Sequence, residues 1–194
     1  MSAGLRYRQL EMLSIGDVRR DLLSNDLIDP RRSEPAPDAN EREMLEGWLN
    51  YHRVTLLLKC EGLDEARLNA RPIPTSSLSL HGLVRHLTEV EFYWTSTVLH
   101  GITTATRYYC SDSSPEADFD DLETSSFAHD RDVWGEEQRR SDQLMTAFTL
   151  DQLSIGGNEP VSLRWILTHL VEEYARHNGH ADLLRELLDG AVGC

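Results

Sequence analysis

Long apolar runs are missing from this sequence, and so is any excess of positive charge. No stretch approaches the roughly 18 uninterrupted apolar residues that a membrane-spanning helix needs. The start, MSAGLRYRQLEMLSIGDVRRDLL, has neither the continuous apolar centre nor the small-residue cleavage site of a secretory leader, so the cytoplasm is the expected location, with no membrane partner. Cysteine is scarce. Cys60, Cys110 and Cys194 are odd in number, widely spaced and outside any CxxC pair, which argues against a disulfide framework or a zinc ribbon and for free thiols in a reducing compartment. Only 19 Lys and Arg stand against 33 Asp and Glu, a formal net charge of -14. Nucleic-acid affinity rests on cationic side chains displacing counterions from phosphate, so this balance argues against DNA or RNA as a partner. No segment alternates at a period of two, and there is no internal repeat, Gly-rich phosphate loop or Ser/His/Asp order.

What is present suits one helical domain. The chain has 194 residues, 40% hydrophobic and 27% charged, enough for a core that needs no disulfide support. Residues 1–40 read as an N-terminal extension: short amphipathic pieces, then a polar, proline-bearing run, DPRRSEPAPDAN, that cannot continue a helix and forms an exposed connector. An N-cap at Asp38 or Asn40 opens a first long helix, EREMLEGWLNYHRVTLLLKCEGL, which stops at Gly62. A short helical turn broken by Pro72 and Pro74 leads to a second long helix over SSLSLHGLVRHLTEVEFYWTSTVLHG, ending near Gly101. Residues 101–130, rich in Ser, Thr and Asp, are expected as a long excursion over the surface. RDVWGEEQRRSDQLMTAF supplies a third helix, and a fourth runs from about Ser162 to Leu188 after the breakers Gly156, Gly157 and Pro160. The spacing predicts an all-α four-helix bundle over residues 41–194. Trp48, Trp94 and Trp165 fall on apolar faces as core or pocket-lining anchors, and Cys60 reads as a buried small hydrophobe.

The fourth helix carries the chemistry. Its 3-4 spacing runs Leu163, Ile166, Leu170, Glu173, His177, His180, Leu184, Leu187, polar in the middle of what should be an apolar seam. A buried carboxylate and imidazole are costly unless paired or coordinated, and a metal ion relieves that cost. Glu173 and His177, four residues apart, stack on one face, so a carboxylate oxygen and an imidazole nitrogen can converge on one ion. His86, beside Leu83, Leu87 and Val90 on the inward face of helix two, is the natural third ligand. Three protein ligands leave a coordination position for water or substrate. Spacing alone leaves two readings open, because most Glu/His pairs in long acidic helices are solvated or ion-paired. His169, one turn before Glu173, reads as a packing or hydrogen-bonding histidine, and a register error of one turn would exchange the two.

GLVRHLTEVEFYW and HLVEEYARHNGHADLLRE, with ERExLxGWLxxHR and LLLKCEGL in helix one, resemble the DinB superfamily, specifically its actinobacterial DUF664 branch, over roughly residues 41–190. The resemblance implies a four-helix bundle with a three-ligand divalent site. The ligands are commonly three His, or His, Glu and His in the mycothiol-dependent maleylpyruvate isomerase and thiol S-transferase type. His86 falls at the helix-two ligand position, and Glu173 and His177 fall at the two helix-four positions, which is the second pattern. The N-terminal extension departs from the family.

The function so implied is a divalent-metal-dependent enzyme that activates a low-molecular-weight thiol, mycothiol, for transfer to, or isomerisation of, an electrophilic small molecule held by the bundle mouth and the 101–130 loop. Zn suits the donor set, and Ni, Fe or Mn would also be accepted. His180 is the catalytic candidate that moves a proton, weighed against a histidine satisfied by a neighbouring acid. Arg176 reads first as a helix-surface ion-pair partner and second as the cofactor-binding residue that steers an anionic ligand. The rival is a non-catalytic bundle, with a homodimer left open, that binds a metal or small ligand without turnover and serves in stress response.

Overall fold

In the computed structural model, which describes residues 29–193, a reciprocal cap starts the first helix. The Asn40 side chain accepts from the Glu43 N–H at 3.1 Å, and the Glu43 carboxylate accepts from the Asn40 N–H at 3.3 Å. Helix α1 then runs Glu41–Cys60 and ends before Gly62, whose φ of 76° suits glycine. A short α2, Glu65–Asn69, leads to α3, Leu80–Phe92, which Ser79 caps. After the loop come α4, Ala117–Asp120, then α5, Phe127–Met145, and α6, Leu163–Asp189, capped by Ser162 and closed by Gly190 at φ 80°. Among the described residues there is no strand, and no helix is long and apolar enough to cross a membrane. The four long helices form an all-α bundle in which α1 packs along α6, and α3 packs along α5 and α6.

The core is built from Leu49 and Leu56 of α1, Leu83 and Leu87 of α3, Trp134 and Met145 of α5, and Ile166, Leu170 and Tyr174 of α6. A charged crosslink passes through it. The Arg53 guanidinium donates to both oxygens of Glu91 at 3.0 and 2.6 Å. Glu91 also accepts from the Tyr174 hydroxyl, and that oxygen accepts from Trp134 Nε1 at 2.8 Å. Arg53, Glu91, Tyr174 and Trp134 thus satisfy one another within this crosslink, as a buried ion pair requires.

Four expectations need correction. The second helix is α-helical only through Phe92 and continues over Tyr93–Leu99 as π-helix, whose wider i→i+5 turn a 3.6-residue period does not detect. The 101–130 segment is more than a surface excursion. It contains α4, and it buries Cys110, Ala117, Asp118, Phe119 and Leu122.

The seam of α6 drifts from a strict 3-4 pattern, because a straight helix turns every 3.6 residues. Tyr174, not Glu173, holds the fully buried position, Ala181 replaces His180, and Leu187 is 60% exposed while Leu184 is buried. Trp165, taken for a core or pocket-lining anchor, is 45% exposed and so is no part of the core.

The connector is mostly exposed as its composition implies, except that Arg32 is buried and Pro35 fills the space beside Gly47. The amphipathic pieces of the N-terminal extension before residue 29, and Cys194, lie outside the described residues.

Candidate metal centre

Helices α3 and α6 run in opposite directions along their contact. His86 meets His177 with ring centroids 4.8 Å apart, while Trp94, in the π-helical continuation of α3, meets His169, earlier on α6, at 4.6 Å. Between these two contacts lies the carboxylate of Glu173. One donor atom from each of His86, Glu173 and His177 lies within 4.8 Å of the other two. His177 Nε2 is 3.5 Å from Glu173 Oε2, near the edge of about 3.3 Å that a tetrahedral zinc site with bonds of about 2.0 Å requires.

Each of the three groups is held from behind. His86 Nδ1 is 2.8 Å from Oδ2 of Asp118 on α4. The other oxygen of Glu173, Oε1, lies 3.5 Å from His169 Nε2. His169 is itself stacked on Trp165, 5.0 Å between centroids and 14° between planes. His177 Nδ1 is 3.3 Å from His180 Nδ1, close enough for one ring to donate and the other to accept.

Burial first, and then the neighbouring His86, His180 and Arg176, push the His177 pKa down to about 4, with Glu172 opposing. At neutral pH the ring is uncharged and carries the lone pair with which an imidazole binds a metal. Two imidazoles and a carboxylate converge from two helices, and His86 and Glu173 are only half-buried. That donor set fits a divalent ion of the zinc type with a side open to a ligand.

Neither described cysteine can serve as the nucleophile. Burial pushes the Cys60 thiol up to about 12 and the Cys110 thiol up to about 11, so both stay protonated at neutral pH. Among the described residues, no cysteine supplies a thiolate at neutral pH.

Residues 44–190 match the mycothiol-S-transferase family, a span that takes in α3, α5, α6 and all but the first residues of α1. The chain belongs to that family. No curated protein matches the sequence.

In this mycothiol-S-transferase bundle, the candidate ligands His86, Glu173 and His177 come together, whereas the other singled-out residues separate. His180 stands behind His177 and is half-buried. Arg176 is exposed and bound to Glu172 one turn earlier, the helix-surface pair that the sequence suggests first. His169 contacts Glu173 but stacks on Trp165 and meets Trp94 edge-on. His81 is enclosed by Asn69 and Asp130 at 2.6 and 2.8 Å, and His52 packs on Asn178. The groove of about 440 Å³ lined by Leu57, Arg131, Trp134 and Arg139 shares no residue with the centre.

Sequence reasoning misses Asp118, Arg85 and Glu89. Their signal was there in the RHLTEVE block: a helix with buried apolar neighbours that also carries Arg85 and Glu89 must find partners for both, and the polar loop that follows can supply them.

Proposed function

We propose that this member of the mycothiol-S-transferase family transfers a low-molecular-weight thiol, mycothiol, to an electrophilic small molecule, or isomerises such a molecule through a reversible thiol adduct, and that it does so as a divalent-metal-dependent enzyme. The observation that carries this reading is the convergence of the His86, Glu173 and His177 donors in a chain whose own buried thiols stay protonated. His86, Glu173 and His177 hold the ion, with Zn the best fit and Ni, Fe or Mn acceptable to the same donors. When bound, the ion supplies Lewis acidity that makes a ligand thiol a thiolate at neutral pH. His180, half-buried beside His177, takes up the proton that the thiol loses. The half-exposed rings of Trp165 and Tyr93 near the same α3–α6 contact offer the electrophile an apolar face. Arg176, at the rim, steers an anionic group only by leaving Glu172.

Elemental analysis of the purified full chain, beside His86→Ala, Glu173→Ala and His177→Ala, tests the metal. The expected result is near-stoichiometric metal in the wild type and loss in all three variants. Consumption of mycothiol with a test electrophile, with and without chelator, tests turnover. Metal uptake without chelator-sensitive consumption would instead describe the non-catalytic bundle, a binding protein of the stress-response kind.

A further inference from the structure

Asp118 has no role in the function above, yet its surroundings are built around it. The residue is 4% exposed, although it sits on a four-residue helix inside a polar loop. Both carboxylate oxygens are engaged: Oδ2 lies 2.8 Å from His86 Nδ1, and Oδ1 accepts from the N–H of Phe119 at 3.0 Å. The Phe119 ring covers His86, with centroids 5.1 Å apart and a 32° tilt. That ring is seated against Gly82, where a Cβ would stand 2.7 Å from Phe119 Cδ1.

The same helix that carries His86 also fixes the loop on either side of Asp118. Arg85 donates to the carbonyls of Ala117 and Asp121 at 3.0 and 2.5 Å and to the Ser125 hydroxyl at 2.6 Å. Glu89 accepts from the N–H groups of Tyr109 and Cys110 at 2.5 and 3.0 Å. Arg85, His86 and Glu89, within two turns of α3, therefore dock the loop before, at and after the point where it delivers Asp118.

We propose that Asp118 is the positioning residue of the metal centre: it keeps the His86 proton on Nδ1 and turns the Nε2 lone pair toward Glu173 and His177. Docking of the 101–121 loop is thereby a condition of metal binding, and the long loop is part of the site instead of a cover over it. This rests on the metal reading of the three donors. A carboxylate behind a ligating imidazole fixes the ring's tautomer and orientation and strengthens it as a donor, and loss of such a group typically weakens metal binding by about 10- to 100-fold.

The test is a Co²⁺ titration of the full chain, following the visible ligand-field spectrum, for wild type, Asp118→Ala, Asp118→Asn and Asp120→Ala. Asp120 is exposed on the same short helix and controls for disturbance of α4. Expected are a Co²⁺ affinity about 10- to 100-fold weaker with an altered spectrum for Asp118→Ala, partial recovery in Asp118→Asn, whose amide oxygen still accepts from Nδ1–H, and wild-type behaviour for Asp120→Ala. Far-UV circular dichroism of each metal-free variant checks folding, and if Asp118→Ala unfolds, Asp118→Asn against wild type decides. Wild-type affinity and spectrum in the folded Asp118 variants, or equal weakening by Asp120→Ala, overturns the proposal while leaving the three ligands standing. A wild type that takes up no Co²⁺ overturns the metal reading itself, and this proposal with it.

Discussion

His177 is buried among His86, His180 and Glu173, and its pKa is pushed down to about 4, chiefly by burial. In the unfolded chain a histidine takes up its proton near pH 6.5. Between those values the unfolded state binds more protons than the folded state, so the metal-free protein gains stability as pH rises through the window and loses it as pH falls. The component belonging to His177 is roughly 2–3 kcal/mol. Urea unfolding of metal-free wild type and His177→Ala at pH 7 and pH 4.5 reads it: the variant should lose less stability on acidification. An equal loss would mean that the neighbouring groups relax to accommodate a charged imidazole. At this scale the sequence singled out three side chains that the fold does bring together, but for a partly wrong reason. The 3-4 seam placed Glu173 in the core, where the cost of a buried charge demanded a metal, but the fully buried residue is Tyr174 and Glu173 stands half-buried at the stripe's edge. The desolvation argument applies to His177 alone. Glu173, one turn earlier, contributes by reach.

Elements with strong caps and long apolar stripes were legible in advance, because the Asn40 box, the Ser162 cap and the glycines after α1 and α6 are local chemistry. The π-helical turn and the four-residue α4 were not, since neither has a period long enough to register and both depend on tertiary partners such as Trp94 on His169 and Asp118 on His86. The crosslink of Arg53, Glu91 and Tyr174 was equally hidden, because its members come from α1, α3 and α6. It makes a prediction about how those elements are joined. Arg53→Met leaves Glu91 buried without its cation and should cost about 3–5 kcal/mol, while Arg53→Met with Glu91→Met removes both charges and should cost less than the single change. Urea denaturation of the two variants at pH 7 measures the difference. A double variant less stable than the single one would show that Glu91 holds its place through the Tyr174 hydroxyl more than through Arg53.

For the molecule as a whole, the ligands of the proposed metal come from α3 and α6, and their supports come from α4 and α6, so the ion would join segments far apart in the chain. An unfolded chain presents no such convergence, and a ligand that binds only the folded state raises its stability by an amount set by free concentration over Kd. With free Zn²⁺ at about one hundred times Kd the gain is about 2.7 kcal/mol. In a domain of this size, about 1 kcal/mol moves the melting temperature by roughly 2–4 °C. Calorimetric or circular-dichroism melts should therefore rise by about 5–10 °C on loading, fall back with chelator, and show no rise in His86→Ala or His177→Ala. The net charge of -14 adds a non-specific attraction for any divalent cation, which a salt series separates from the site. Stabilisation that persists in 0.5 M NaCl, where the screening length is about 4 Å, and that disappears with either histidine, belongs to the centre. Stabilisation that salt removes, or that both variants retain, belongs to the acidic surface, and the three donors would then be a polar cluster that holds two helices together without an ion.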